Sequence, residues 1–199
     1  MLVAVLSGAG PCSAQVLPFR NWRPDDGLAS SQVWAIHQDN QGYVWIGCTG
    51  GISRFNGRQF VTYRDAQGVL QNVVEAVGVD SQGRLWVGTF RGPCVYDPQH
   101  DRFIFRQDLG GRVRRFVTLR DELYLMAERA VYRLGPGDVW EAVGIAGVVD
   151  PLTALSTDGR ALYVATATRR VFRMDPTQPE GVRSFPLPVA VNDLRAVDG

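Results

Sequence analysis

Residues 39–55 read DNQGYVWIGCTGGISRF and residues 80–96 read DSQGRLWVGTFRGPCVY. The two stretches carry an aspartate, a glycine, a tryptophan and two further glycines at the same points, offset by 41 positions. Repetition at a period of roughly 20–50 residues indicates a copied structural unit, whereas a catalytic constellation normally occurs once. The repeat therefore predicts the fold of the chain and does not by itself indicate a catalytic site.

The repeat has the pattern of a β-meander. Within residues 33–38, the side chains of Val33, Ala35 and His37 alternate with those of Trp34, Ile36 and Gln38, which is the period of two of a strand. Residues 43–46 are aromatic or β-branched, which also favours a strand. The DNQG turn at 39–42 separates them, and its glycine supplies the positive φ that closes a hairpin. With a second turn at Gly50 and Gly51, and strands at 52–55 and 60–63, one repeat is predicted to be a four-stranded antiparallel sheet.

Further copies of the repeat appear when positions are compared by residue type, such as aromatic or apolar, and not by exact identity. The aromatic residue of the second strand falls at Trp45, Trp86, Tyr124 and Tyr163, with spacings of 41, 38 and 39. The repeats run roughly over residues 28–68, 69–112, 113–150 and 151–191, and residues 192–199 resemble the start of a fifth. Four-stranded units of about 40 residues without a helical period are typical of a β-propeller. We therefore predict an all-β chain of about four propeller blades plus partial ones, forming part of a larger propeller.

The first residues of the chain show the same offset. Phe19, Trp22 and Gly27 precede Phe60, Tyr63 and Gly68 by 41 positions. The chain is therefore expected to open with the outer strand of a blade whose other strands come from the far end of a closed propeller, which removes exposed sheet edges.

Residues 1–14 have the pattern of a secretory signal peptide. The stretch MLVAVLSGAG is apolar but too short to span a bilayer, and small residues at Cys12 and Ala14 fit a cleavage site. A periplasmic location follows from this interpretation. Because a positively charged start is absent, two interpretations stay open: the true start of the chain differs from Met1, or the segment is an apolar N-terminal strand.

Composition and motifs argue against several classes of function. The 21 basic and 20 acidic residues are interspersed, giving a net charge of +1, so no nucleic-acid partner is predicted. Only His37 and His100 could serve a triad, no nucleophile elbow is present, and the turn aspartates fit backbone capping. Cys48 and Cys94 lack zinc spacing and are either two buried side chains or a periplasmic disulfide. We predict no catalytic residue, metal or cofactor.

One set of residues is not explained by packing. Arginines occupy the turn between the second and third strands in the second to fourth repeats, and these candidate ligand-binding residues are Arg91, Arg129, Arg169 and Arg170. In propellers such turns surround one end of the axial pocket, where guanidinium groups can hold a carboxylate, sulfate or phosphate. The alternative is ordinary solubilising charge on exposed turns.

The stretch at 27–63 resembles the two-component regulator propeller repeat. Its matching positions are Gly27, Leu28, Val33, Ile36, Asp39, Gly42, Trp45, Ile46, Gly47, Gly50, Gly51, Ile52 and Phe55, with Cys48 where the family has threonine. The second repeat matches from Asp80 to Tyr96, except that Arg91 stands where glycine is usual. The third and fourth repeats have diverged.

The resemblance implies the periplasmic sensor region of a bacterial hybrid histidine kinase or diguanylate cyclase, with the output domain and membrane segment outside this sequence. The expected function is an extracytoplasmic module that binds a small molecule or oligosaccharide, anionic if the arginines bind it. A homodimer is compatible with the full-length receptor. Two alternatives are a secreted binding or scaffold propeller and, less favoured, a glycan-processing propeller enzyme.

Overall fold

The computed structural model describes residues 20–69, 72–189, 191, 193 and 194, which excludes the predicted signal peptide at 1–14. The described chain forms four antiparallel sheets of four consecutive strands each. Sheet 1 contains β1 (Val33–Gln38), β2 (Val44–Cys48), β3 (Gly51–Phe55) and β4 (Phe60–Tyr63). Sheet 2 contains β5 (Val74–Val79), β6 (Leu85–Thr89), β7 (Pro93–Asp97) and β8 (Arg102–Phe105).

Sheet 3 contains β9 (Val113–Leu119), β10 (Glu122–Ala127), β11 (Val131–Leu134) and β12 (Trp140–Val143). Sheet 4 contains β13 (Leu152–Thr157), β14 (Leu162–Thr166), β15 (Arg170–Asp175) and β16 (Gln178–Pro186). Helical structure in the described residues is limited to 3-10 turns at Pro24–Asp26, Asp65–Gln67 and Pro136–Asp138. No helix in this part of the chain has the length and apolar character needed to cross a membrane. The all-β prediction of about four blades is confirmed.

The aspartate of each hairpin turn explains why the turn and the tryptophan recur together. Asp39 accepts hydrogen bonds from the backbone N–H of Tyr43 at 3.0 Å and from Trp45 Nε1 at 2.7 Å. Asp80 does the same for the backbone of Arg84 at 2.9 Å and for Trp86 Nε1 at 2.9 Å. One carboxylate therefore closes the hairpin and satisfies the buried indole, which would otherwise carry an unpaired donor.

The aromatic residues fill the wedges between neighbouring sheets. Trp45 packs with Val74 and Phe103 of the second sheet, Trp86 with Phe116 of the third, and Tyr124 with Leu155 of the fourth. Cys48 and Cys94 are buried and are not joined to each other by a disulfide. Their sulfurs lie 3.7 Å from the carbonyl oxygens of Ile46 and Gly68 respectively, as for small core side chains.

The first strands of successive sheets lie around a common axis. The strands β1, β5, β9 and β13 each form one edge of their sheet, and β1 contacts β5, β5 contacts β9, and β9 contacts β13. This is the arrangement of propeller blades. The two ends of the strands define two rims. The upper rim contains the turns between the second and third strands of each sheet and the connections between sheets. The lower rim contains the turns between the first and second strands and between the third and fourth strands.

The 41-residue offset of the N-terminal segment has a structural counterpart. The turn at Pro24–Asp26 copies the turn at Asp65–Gln67. Trp22 contacts Phe55 and Phe60 with ring centroids 4.9 and 5.4 Å apart, and Tyr63 contacts the equivalent Tyr96 and Phe103 at 5.9 and 5.5 Å. Trp22 therefore occupies the position of an outer-strand aromatic.

The predicted strand at Phe19 to Trp22 is nevertheless not formed in its described part. Residues 20–23 are not paired into any strand, and Phe19 lies outside the described residues. No described strand forms a ladder of backbone hydrogen bonds with this segment, which an extended segment needs in order to join a sheet.

The two outer faces of the four-sheet array differ. On sheet 1, Val33 and Ile36 are 40% and 68% exposed, whereas the equivalent Val74 and Val77 pack between sheets 1 and 2. On sheet 4, Val191 and Leu194 pack against the cluster formed by Ala154, Ala165 and Val171. Their spacing of 39 from Leu152 and Leu155 is the position expected for the first strand of a further repeat. Residues 192 and 195–199 of the predicted fifth repeat lie outside the described residues.

Candidate ligand-binding rim

The upper rim carries three of the four predicted arginines on equivalent turns. Arg91 lies between β6 and β7, Arg129 between β10 and β11, and Arg169 between β14 and β15, and all three are exposed. Among the described residues, no hydrogen bond or ion pair engages their guanidinium groups. Their role in ligand binding stays a prediction, but their charge is available to a ligand at this rim.

Arg170 differs from the other three because it is the first residue of β15. Its guanidinium donates a hydrogen bond to the Ser184 hydroxyl and lies 5.7 Å from the ring centroid of Phe172. Its side chain is therefore engaged within sheet 4, and the structure does not group it with the turn arginines.

Three arginines of the lower rim are used in the opposite way. Arg54 of sheet 1 contacts Asp101 of sheet 2 at 3.3 Å. Arg84 of sheet 2 forms a two-pronged pair with Asp138 of sheet 3 at 2.6 and 2.9 Å, and Arg120 of sheet 3 forms one with Asp175 of sheet 4 at 3.0 Å. Each carboxylate lies at the third-to-fourth strand connection of the following sheet. These arginines link adjacent sheets and leave little free charge for a ligand.

The carboxylates of these links have lowered pKa values. The hydrogen bond from Tyr96 lowers the pKa of Asp101, that from Arg84 lowers the pKa of Asp138, and that from Arg120 lowers the pKa of Asp175. A carboxylate whose pKa is lowered by folding stabilises the fold above its unfolded-state pKa, and the contribution is lost as the pH falls through the folded-state pKa. The links therefore weaken only in acid.

The lower rim also holds an aromatic cluster around Arg54 that the sequence pattern did not single out. The Arg54 guanidinium lies 5.0 Å from the ring centroid of Tyr43 and 5.5 Å from that of Trp45. Tyr63 and Tyr96 donate hydrogen bonds to Asp101 Oδ1 at 2.7 and 2.5 Å, and burial raises the pKa of Tyr63. A cavity of about 630 Å³ lies beside the cluster, but the charges of Arg54 and Asp101 already satisfy each other.

A second cavity of about 570 Å³ lies on the upper rim beside Arg91. Its lining residues are Phe90, Arg91, Phe105, Gln107, Gly110 and Gly111. Phe90 is 39% exposed, so part of its ring is accessible at this cavity. The Arg112 guanidinium lies 4.5 Å from the Phe90 ring centroid, within cation–π range.

Arg112 is itself held by a carboxylate of the preceding sheet. It donates to both oxygens of Glu75 at 2.6 and 2.5 Å, and these hydrogen bonds raise its pKa. Neither Phe90 nor Arg112 was a predicted site residue. The available signals were Phe90 in a turn where the first repeat has Thr49, and the arginine-rich GRVRRF at 111–116.

Within the described chain, no group of three or more His, Cys, Asp or Glu side chains is placed to hold a metal ion.

Comparison with solved structures defines the class of fold. Over 79% of this chain, the fold is similar to 56% of virginiamycin B lyase from Staphylococcus aureus, with 12% identity and a TM-score of 0.65. It is also similar to the extracellular domain of a putative hybrid two component system from B. thetaiotaomicron, with 22% identity and a TM-score of 0.67 over 80% of this chain and 22% of that one. A second such domain from B. thetaiotaomicron gives 18% identity and a TM-score of 0.58 over 72% of this chain and 23% of that one. The fold is that of a partial β-propeller.

The repeats can be assigned more closely. Residues 27–50 and 68–91 match the family described as Two component regulator propeller, and the two segments are offset by the 41 residues of the repeat. The chain thus carries two-component regulator propeller repeats, as the resemblance predicted. A 47-residue segment, 24% of this chain, is 40% identical to histidine kinase P4 from Formosa agariphila. The matched part is 3% of the length of that protein.

Proposed function

We propose that this chain is the extracytoplasmic ligand-sensing propeller of a two-component-type signalling receptor, and that it binds an anionic ligand on its upper rim. One observation carries the second part of the proposal. The turn arginines Arg91, Arg129 and Arg169 have no side-chain partner among the described residues, whereas Arg54, Arg84 and Arg120 of the lower rim are bonded to aspartates of neighbouring sheets.

A row of equivalent arginines suits a ligand with several negative groups. Each guanidinium can present two parallel N–H donors to a carboxylate or sulfate, which fixes the orientation of the anion as well as its charge. Because the three turns belong to successive sheets, an extended acidic oligosaccharide could contact more than one of them. Several weak contacts on one ligand then add to a useful affinity.

The signalling part of the proposal is supported by the kind of repeat. Both matched segments belong to a family described by its link to two-component regulation, and a further relative is a histidine kinase. The propeller itself is proposed to be non-catalytic, with a histidine kinase or diguanylate cyclase output encoded outside this sequence. Residues 1–14 are proposed to direct export, so the propeller and its upper rim would lie in the periplasm.

The test is calorimetry with trigalacturonic acid as the anionic probe and maltotriose as the neutral one. Replacing Arg91 and Arg129 together with alanine is expected to weaken binding of trigalacturonic acid at least tenfold. Charge-assisted hydrogen bonds contribute on the order of 1.5–3 kcal/mol each, and about 1.4 kcal/mol corresponds to tenfold.

Arg58→Ala is the matched control. Arg58 is an exposed arginine of the lower rim between β3 and β4, and its guanidinium has no partner among the described residues. This variant should bind trigalacturonic acid as the unmodified chain does. Equal affinities for the double variant and the unmodified chain, or tight binding of maltotriose alone, would reject the anion-binding rim.

A further inference from the structure

The cavity beside Arg91 combines an unpaired charge with an apolar wall. Phe90 and Phe105 supply aromatic surface, Gly110 and Gly111 leave the backbone uncovered by side chains, and Arg91 also lines the cavity. The backbone is fixed on both sides of the cavity, because Gly111 N–H donates to the Arg91 carbonyl at 3.1 Å and Arg91 N–H donates to the Thr89 hydroxyl at 3.1 Å. The wall is therefore built before a ligand arrives.

Arg112 holds the Phe90 ring in place without adding a free charge. Its guanidinium lies 4.5 Å from the ring centroid and is bound through two hydrogen bonds to Glu75, whose side chain is only 7% exposed. The nearby Glu128 also acts electrostatically on Arg112. The positive charge of Arg112 is therefore compensated by carboxylates, and the uncompensated charge at the cavity is that of Arg91.

An unpaired guanidinium beside an exposed aromatic face has a definite chemical preference. A small inorganic anion would gain the charge contact but leave Phe90 and Phe105 in water. A neutral ring would cover the phenylalanines but leave the guanidinium without a counter-charge. A ligand carrying both groups gains both contacts, and burying its ring contributes roughly 25 cal/mol per Å² of apolar surface.

We infer that the cavity formed by Phe90, Arg91, Phe105, Gln107, Gly110 and Gly111 selects an organic anion in which a carboxylate or sulfate is attached to a flat apolar ring. Arg91 contacts the anionic group, Phe90 and Phe105 contact the ring, and Arg112 is a positioning residue that acts through Phe90. This specificity rests on the proposed function, since it names the class of ligand for one part of the upper rim.

The experiment compares three probes by calorimetry on the whole chain: 2-naphthoate, 2-naphthol and acetate. At neutral pH the first has a ring and a charge, the second only the ring, and the third only the charge. We expect 2-naphthoate to bind at least tenfold more tightly than either of the others. Arg91→Ala and Phe90→Ala should each weaken 2-naphthoate binding about tenfold.

Two control variants match these changes elsewhere on the surface. Arg58→Ala removes an exposed arginine of the lower rim, and Phe185→Ala removes a side chain on β16 that is 48% exposed. Both should leave the affinity for 2-naphthoate unchanged. A circular dichroism spectrum with the same strand signal for every variant shows that altered binding does not come from unfolding.

The positioning role of Arg112 needs a separate readout. Glu75→Gln keeps the shape of the partner but removes its charge, so Arg112 gains free positive charge beside Phe90. We expect this variant to bind acetate more tightly than the unmodified chain, while its preference for 2-naphthoate over acetate falls. An unchanged preference would reduce Arg112 and Glu75 to a structural ion pair and overturn that assignment.

The remaining outcomes separate this inference from the proposed function. Equal affinity for 2-naphthoate and 2-naphthol, or no effect of Arg91→Ala, overturns the inference. If trigalacturonic acid still binds and still depends on Arg91 and Arg129, the anion-binding rim stands without the ring-selective cavity. If neither anion binds, both proposals fail.

Discussion

Replacing Trp86 with alanine is expected to lower the free energy of unfolding by about 3–5 kcal/mol, the range for large aromatic residues removed from a core. Trp86 is 0% exposed, its indole N–H donates to Asp80 Oδ2 at 2.9 Å, and its ring lies edge-on to Trp140 at 5.2 Å. The substitution leaves a cavity between sheets 2 and 3 and removes a donor from a buried carboxylate. Urea denaturation followed by circular dichroism measures the change.

Trp34→Ala is the matched control for this prediction. Trp34 lies on β1 and is 48% exposed, so its loss should cost less than about 1 kcal/mol. A similar loss for both variants would contradict the account in which the repeated tryptophan fills the wedge between blades.

Replacing Gly68 with alanine is expected to have the second large effect. Gly68 has a φ of 88°, and a Cβ added there would stand 1.9 Å from the Phe103 carbonyl oxygen of the next sheet. The backbone of one sheet would have to move away from the other, because a carbonyl oxygen cannot turn aside as a side chain can. The same urea titration measures the loss of stability.

Gly42→Ala separates the cost of backbone conformation from the cost of the clash. Gly42 has a φ of 86°, and an added Cβ would meet nothing within 4 Å. Gly42→Ala should lower the free energy of unfolding by about 1–3 kcal/mol because of the positive φ alone. Gly68→Ala should lower it by at least about 2 kcal/mol more, because of the added clash. Equal costs would mean that sheets 1 and 2 do not approach each other as closely as described.

The architecture could be predicted from the sequence because its determinants are local. Asp39, Gly42 and Trp45 lie within seven residues, and their hydrogen bonds form inside one hairpin. The same local set recurs at Asp80, so the period of the repeat could be measured directly. The diverged fourth repeat retains the bond between the aromatic residue and the turn aspartate, since Tyr163 O–H donates to Asp158 at 2.9 Å.

The contacts between sheets could not be predicted in the same way. Arg54 and Asp101 are 47 residues apart, and Glu75 and Arg112 are 37 apart, so their pairing depends on how two blades face each other. Nothing in the repeat pattern marks Phe90 as the residue that Arg112 covers. The cavity on the upper rim therefore depends on how the sheets pack together, which the repeat pattern does not determine.

Arg170 shows a related limit of reasoning from spacing. It follows Arg169 directly, and the sequence pattern predicts it to lie on the same turn. It begins a strand, however, so pairing of β15 with β16 places it beside Ser184. One residue along the chain was enough to change a turn residue into a strand residue, and turn boundaries are difficult to place that closely from sequence.

Hydrogen–deuterium exchange with trigalacturonic acid bound and absent tests the anion-binding rim, because it reports where on the propeller the ligand lies. We expect slower exchange at the upper-rim turns, residues 89–92, 128–130 and 167–169, and unchanged exchange at the lower-rim turns, residues 39–42, 80–83 and 98–101. Protection confined to the lower rim, beside Tyr43 and Asp101, would contradict this expectation, as would no protection at either rim.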